Sequence, residues 1–217
     1  MPRPALRQIE REIPRCRRCP RLAAFLDDSR VRRPDYWNRP VPGFGDPRAW
    51  LVVVGLAPGM HGANRTGRPF QGDASGEWLY ASLGRTGLWD GRRLRGAYVV
   101  NAVKCVPPGN RPVAAELDAC RPWLADELAG LARARLVLAL GRIAYQAVLR
   151  SWGVAPLARY PFAHATLHRV PRRPPLLASY HPSRQNTNTG TLTPPMWDGI
   201  WRRARRFAPR RAAGSAP

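Results

Sequence analysis

Residues 50–76, WLVVVGLAPGMHGANRTGRPFQGDASG, decide the fold. Leu51, Val52, Val53 and Val54 are apolar and mostly β-branched, which predicts a buried strand ending at Gly55. A long loop follows, with glycines at 59, 62, 67, 72 and 76. Asp73-Ala74-Ser75-Gly76-Glu77 then has the composition of a helix start, a polar cap followed by an acid in the first turn. A strand feeding a Gly-rich loop that opens a helix is where α/β folds bind ligands. Two common nucleotide loops do not fit. A dinucleotide fingerprint needs G-x-G-x-x-G, and Gly55-Leu56-Ala57 lacks the second glycine. Gly62 and Gly67 have phosphate-loop spacing, but Arg68-Pro69 stand where lysine and a hydroxyl are required.

Outward from this stretch, strands and helices alternate. Residues 4–15 read as a helix with Leu6, Ile9 and Ile13 on one face, leading to Cys16 and Cys19. Residues 27–49, rich in Arg, Pro, Trp and Tyr without a period, read as a surface connection. A helix is expected from Ser75 to Leu83, then a strand over 97–103 that runs into Lys104-Cys105. A long helix follows, with Leu117, Cys120, Leu124, Leu128 and Leu131 at helical spacing. Residues 136–141 form the next strand and 143–152 the next helix. A short strand near His168, a last strand over 176–180 and a final helix from about Pro194 complete the pattern. This predicts an α/β fold with a mainly parallel central sheet flanked by helices on both faces. Residues 1–208 are expected to form a single domain, with a disordered basic tail over 209–217.

The loops after residues 54, 103 and 180 leave a parallel sheet at one edge, which would gather Phe70, Asn101 and His181 beside Cys105. Lys and Arg total 36 against 14 acids, a net charge of +22, and Lys104 is the only lysine. Such an excess favours a polyanion, and nucleic acid in particular. No apolar run reaches membrane-spanning length, and the N-terminal residues lack the core of a signal peptide, so a cytoplasmic location is expected. Cys16, Cys19, Cys105 and Cys120 fall in two pairs; in a cytosolic chain they suit a tetrathiolate site, for zinc or for an iron–sulfur cluster.

These segments resemble the uracil-DNA glycosylase superfamily, and most of all its family 5, the type B enzymes. The resemblance rests on GLAPGMHGANRTGRPFQGDASG at 55–76, NAVKCVPPGNRP at 101–112 and HPSRQNTNTG at 181–190, with the four cysteines in matching order. Family 4 shares the cysteines and the TGRPF run, but usually places an acid where Leu56 stands. The resemblance implies a three-layer sandwich, a structural [4Fe-4S] cluster on the four cysteines, and a monomer that flips uracil out of DNA and hydrolyses its glycosidic bond. Phe70 is then the stacking ring, Asn101 the amide that reads the uracil edge, and Gly55 and Ala57 part of the base pocket. His181 is the catalytic histidine. No acid or amide follows the first glycine, which leaves Asn64 and Asp73 as candidates to orient the water or steady the sugar cation. Asn110, Ser183, Arg184 and Asn186 are expected near the DNA, with the 183–185 segment entering the minor groove. The missing early acid implies tolerance of other deaminated bases such as hypoxanthine. The competing reading is a metal-stabilised DNA-binding protein without catalysis.

Overall fold

The computed structural model describes residues 5–209. In chain order the elements are α1 (Leu6–Glu12), α2 (Pro20–Arg32), β1 (Phe44–Gly45), β2 (Leu51–Gly55), α3 (Ala63–Thr66), α4 (Ala74–Arg85), β3 (Ala97–Asn101) and α5 (Ala114–Gly130). After them come β4 (Leu136–Leu140), α6 (Arg142–Ser151), β5 (Leu167–His168), β6 (Leu176–Ser179), α7 (Arg184–Asn188) and α8 (Pro194–Arg205). The sheet order is β1-β3-β2-β4-β6-β5. The four inner strands are parallel, and the two short edge strands are antiparallel to their neighbours. The expected α/β class is what the chain adopts.

Every residue of β2, β3, β4 and β6 is buried, as a sheet covered on both faces requires. Alternate residues serve opposite layers. Leu51, Val53, Val99, Leu138 and Leu177 pack with Leu79 and Leu83 of α4 and with Trp197, Ile200 and Trp201 of α8. Val52, Val54, Val100, Val137 and Ala178 pack with Leu124 of α5 and with Tyr145, Val148 and Leu149 of α6. The result is a three-layer sandwich. Its parallel register pairs Gly55 with Asn101 and Leu140 with Ser179, so the three loops do leave at one edge.

Two local expectations are corrected. The connection expected over 27–49 is partly helix: α2 starts at Pro20, a residue suited to a helix's first turn, and buries Leu22, Ala23, Leu26 and Ser29. Phe44 and Gly45 then add an edge strand against Val99 and Tyr98. The 183–185 segment, expected near the DNA, begins α7, with Ser183 as its cap: Ser183 Oγ accepts the Asn186 N–H at 3.3 Å. Residues 210–217 of the expected tail lie outside the described residues.

Candidate active site

Gly55 ends β2 where two functional side chains need room. A Cβ there would stand 2.3 Å from Phe70 Cε2 and 2.5 Å from Asn101 Oδ1, so only glycine admits both. Phe70 is held at φ 60°, a left-handed conformation that a bulky residue adopts only when its surroundings enforce it. Gly76 makes room for that backbone, since a Cβ there would fall 1.5 Å from the Phe70 carbonyl oxygen. The first turn of α4 thus packs against the Phe70 backbone, and the ring lies against Gly55 at the end of β2. His181 lies 5.8 Å from the Phe70 ring, centroid to centroid, at 28° between planes.

Asn101 is 2% exposed, and neither its Oδ1 nor its Nδ2 has a partner among the described residues. A buried amide with both ends unmatched is costly, and it is completed by a water or by a ligand group. Its position is fixed from behind. Lys104 Nζ donates to the Asn101 carbonyl at 2.6 Å and forms a fully buried ion pair with Glu127. Glu127 in turn accepts the Gly43 N–H at 3.0 Å. Burial raises the Glu127 pKa, and the Lys104 charge opposes that rise.

A cavity of about 710 Å³ opens at this edge, of a size that holds a small ligand or a nucleotide. Leu56, Ala57, Pro58, Gly59, Met60 and His61 line one wall, with Phe70 and Asp73 on the motif loop. Asn110, His181, Ser183, Arg184 and Gln185 also line it. The Asn186 amide donates to the His181 carbonyl at 2.8 Å and so fixes the catalytic candidate rather than facing the cavity. Removal from water lowers the His181 pKa to about 4, so its imidazole is neutral at pH 7 and offers an N–H without a full charge. Asp73 caps α4 by accepting the Gly76 N–H at 2.9 Å. Its other oxygen fits beside Gly59 and Gly62, where Cβ atoms would approach within 2.9 and 2.2 Å. Burial raises this carboxyl's pKa as well.

Asn64 does not reach the cavity, contrary to expectation. It is fully buried beneath the loop, and its amide donates to Asn38 Oδ1 at 3.1 Å. Ser29 Oγ donates to the same oxygen at 2.7 Å. These partners lie 26 and 35 residues away in sequence, so the motif alone carries no sign of them.

The four cysteines are free thiols gathered between α1, α2 and α5. Burial pushes the Cys120 thiol up to about 11 and raises Cys19 and Cys105, and each of the three also feels the charge of other cysteines in the set. Trp123 Nε1 donates to Cys16 Sγ at 3.3 Å, and the Arg18 guanidinium lies 4.7 Å from the Trp123 ring centroid. Among the described residues, no group of three or more His, Cys, Asp or Glu is placed to hold a single metal ion.

Residues 42–205 match the family model described as the uracil DNA glycosylase superfamily. The chain belongs to this superfamily. Within it, a type-5 uracil-DNA glycosylase of Thermus thermophilus is 48% identical over 206 residues, covering 89% of this chain and 94% of that protein. A type-5 uracil-DNA glycosylase of Pyrobaculum aerophilum is 44% identical over 202 residues, with 87% of each chain covered. A type-4 uracil-DNA glycosylase of Archaeoglobus fulgidus is 31% identical over 182 residues, with 82% of each covered. For a uracil-DNA glycosylase superfamily member, the residues missed from sequence are the supports: Glu127, Asn38 and the role of Lys104. The one lysine of a basic chain, lying between Asn101 and Cys105, was the available signal.

Proposed function

We infer that the protein is a type-5 uracil-DNA glycosylase: it flips uracil from DNA into the cavity and hydrolyses the bond from N1 to the sugar, leaving an abasic site. The observation that carries this is the unmatched amide of Asn101 at the end of β3, which meets Phe70 at Gly55 behind the cavity wall that Phe70 and His181 form. An amide offers one acceptor and one donor, and the uracil edge presents an N–H beside a carbonyl. The flipped base stacks on Phe70, as extrusion from the duplex requires. As the glycosidic bond breaks, electrons pass to the uracil ring and positive charge develops on the sugar. The neutral His181 N–H then stabilises the departing uracil anion, as donors do in an oxyanion hole. Water adds to C1′ and loses its proton; Asp73 is the carboxylate lining the cavity for that step or for the sugar cation, while Asn110 lines the cavity as a polar neighbour. A Schiff-base route has no lysine to use, because Lys104 is buried against Glu127.

Cys16, Cys19, Cys105 and Cys120 are proposed to hold a [4Fe-4S] cluster. Four free thiols gathered in one place, two buried and two half-buried, with an indole N–H directed at one sulfur, suit such a cluster. A zinc ion, with Zn–S bonds of about 2.3 Å, calls for tighter convergence. When bound, the cluster ties α2 and α5 to the strand that bears Asn101. Among the described residues no helix is long and apolar enough to cross a membrane. The net charge of +22 favours DNA as the extended partner.

An end-labelled duplex with a single uracil tests the reading. Strand scission only after hot alkali is expected, since a monofunctional enzyme leaves the backbone intact. Intact strands after alkali, from protein shown to be folded, would reject it.

A further inference from the structure

The Arg-, Trp- and Tyr-rich stretch before β1 has no part in the cavity, yet it is fastened to the loop that forms it. Trp37 N–H donates to the Arg65 carbonyl at 3.1 Å and Asn38 N–H to the Asn64 carbonyl at 3.2 Å. Asn38 adopts φ 48°, and its amide donates to the Arg33 carbonyl at 2.6 Å and to that of Tyr36 at 3.2 Å. Its Oδ1 is the buried acceptor for Ser29 and Asn64. The stretch and the motif loop are thus held as one unit.

That outer face is basic and aromatic. The Arg33 guanidinium lies 6.0 Å from the Tyr36 ring centroid, and that of Arg39 lies 5.8 Å from the Trp37 centroid. Trp37 is 36% exposed and rests on Gly67, where φ is 73° and a Cβ would come within 2.8 Å of the indole. Arg39, Arg65 and Arg68 are exposed. Among the described residues none of Arg33, Arg39, Arg65 and Arg68 pairs with a carboxylate. Asp35 is the only acid between Arg30 and Gly45. The patch is continuous with the cavity: Tyr36 Oη bonds His61 Nδ1 at 3.0 Å, and Arg65 donates to the Gly72 carbonyl at 3.2 Å, both partners being cavity residues.

We propose that Arg33, Arg39 and Arg68, held over Tyr36, Trp37 and Phe44 respectively, form with Arg65 a second DNA-binding platform that carries the strand flanking the flipped nucleotide. The proposal rests on the glycosylase reading for what lies in the cavity, but its own chemistry is phosphate binding. Guanidinium groups held over aromatic rings have already lost much of their freedom, so they meet successive phosphates at less entropic cost than free side chains. This platform comes from a different part of the chain than Ser183 and Arg184, and so grips the DNA from a second direction in sequence.

The test is equilibrium binding to a uracil-free duplex across a salt series, comparing the parent with an Arg33→Gln/Arg39→Gln variant. An Arg133→Gln/Arg135→Gln variant removes the same charge just before β4, at the sheet edge away from the cavity. Each lost phosphate contact lowers the slope of log Kd against log salt by about one unit. The platform variant is therefore expected to lose about two units of slope and to bind roughly tenfold or more weakly, while the distal variant stays near the parent. An unchanged Kd and slope in the platform variant overturns the proposal, and so does an equal loss in both variants. Because the duplex holds no uracil, binding is read independently of excision. A parent that binds with a steep salt slope but excises nothing would reject the glycosylase reading and leave the platform fully testable.

Discussion

At the scale of single residues, the site works by leaving groups unfinished. Asn101 is buried with both amide ends unmatched, and His181 is kept neutral by its surroundings. The pH behaviour follows from that second fact. His181 titrates near 4 in the folded chain against an ordinary value near 6.5, so its folded pKa is depressed. Between those values the unfolded chain binds the proton and the folded one does not, so this residue lowers stability as pH falls below about 6.5 and has no effect above it. Excision at saturating DNA should show no histidine-like inflection from pH 5.5 to 8. An imidazole resonance of His181 that titrates between 6 and 7 would contradict this. His181→Ala should cut the excision rate by about 10²–10³-fold with DNA binding retained, measured under single-turnover conditions.

At the scale of elements, two devices hold these residues in place, and they were not equally legible in the sequence. The start of α4 was readable, because Asp73 and Glu77 have the spacing of a helix N-terminus. Asp73→Ala should lower stability by about 0.5–2 kcal/mol through the lost cap, while Asp73→Asn keeps an acceptor for Gly76. Activity lost in Asp73→Asn with an unchanged thermal midpoint would assign the carboxylate to the chemistry; equal activity would leave it as a cap alone. The Lys104–Glu127 pair was not readable, since its partners lie 23 residues apart on a loop and a helix. Lys104→Met strands a buried carboxylate and should cost about 3–5 kcal/mol in urea unfolding, with Glu127→Gln added in the same chain restoring part of it. No change in Lys104→Met would show that Glu127 is not held as described. Asn64 was misread for a similar reason: its motif position suggests the cavity, but Asn38 and Ser29 hold it beneath the loop. Helix α2 is not legible in the sequence, because its buried face is only Leu22, Ala23, Leu26 and Ser29 and its last turns are charged.

At the scale of the whole molecule, the parallel sheet converts sequence order into proximity. Segments near residues 55, 101 and 181 meet because β2, β3 and β6 end at one edge, and the strand pattern alone was enough to foresee it. The cysteines use the same layout, since Cys105 follows β3 closely and Cys120 lies on α5. Protein purified without air should therefore be brown, with broad absorbance at the blue end of the visible range. Cys105→Ser should bleach that colour and lower the thermal midpoint together; a colourless parent with full stability would remove the cluster from the account. The central claim remains that a buried amide at the end of β3 reads uracil. Single-turnover excision by Asn101→Ala, on a duplex with one uracil, tests it most directly. Two lost hydrogen bonds of about 1–1.5 kcal/mol each predict a rate lower by about two orders of magnitude, with DNA affinity and thermal midpoint near the parent's. Excision at the parental rate would contradict the account.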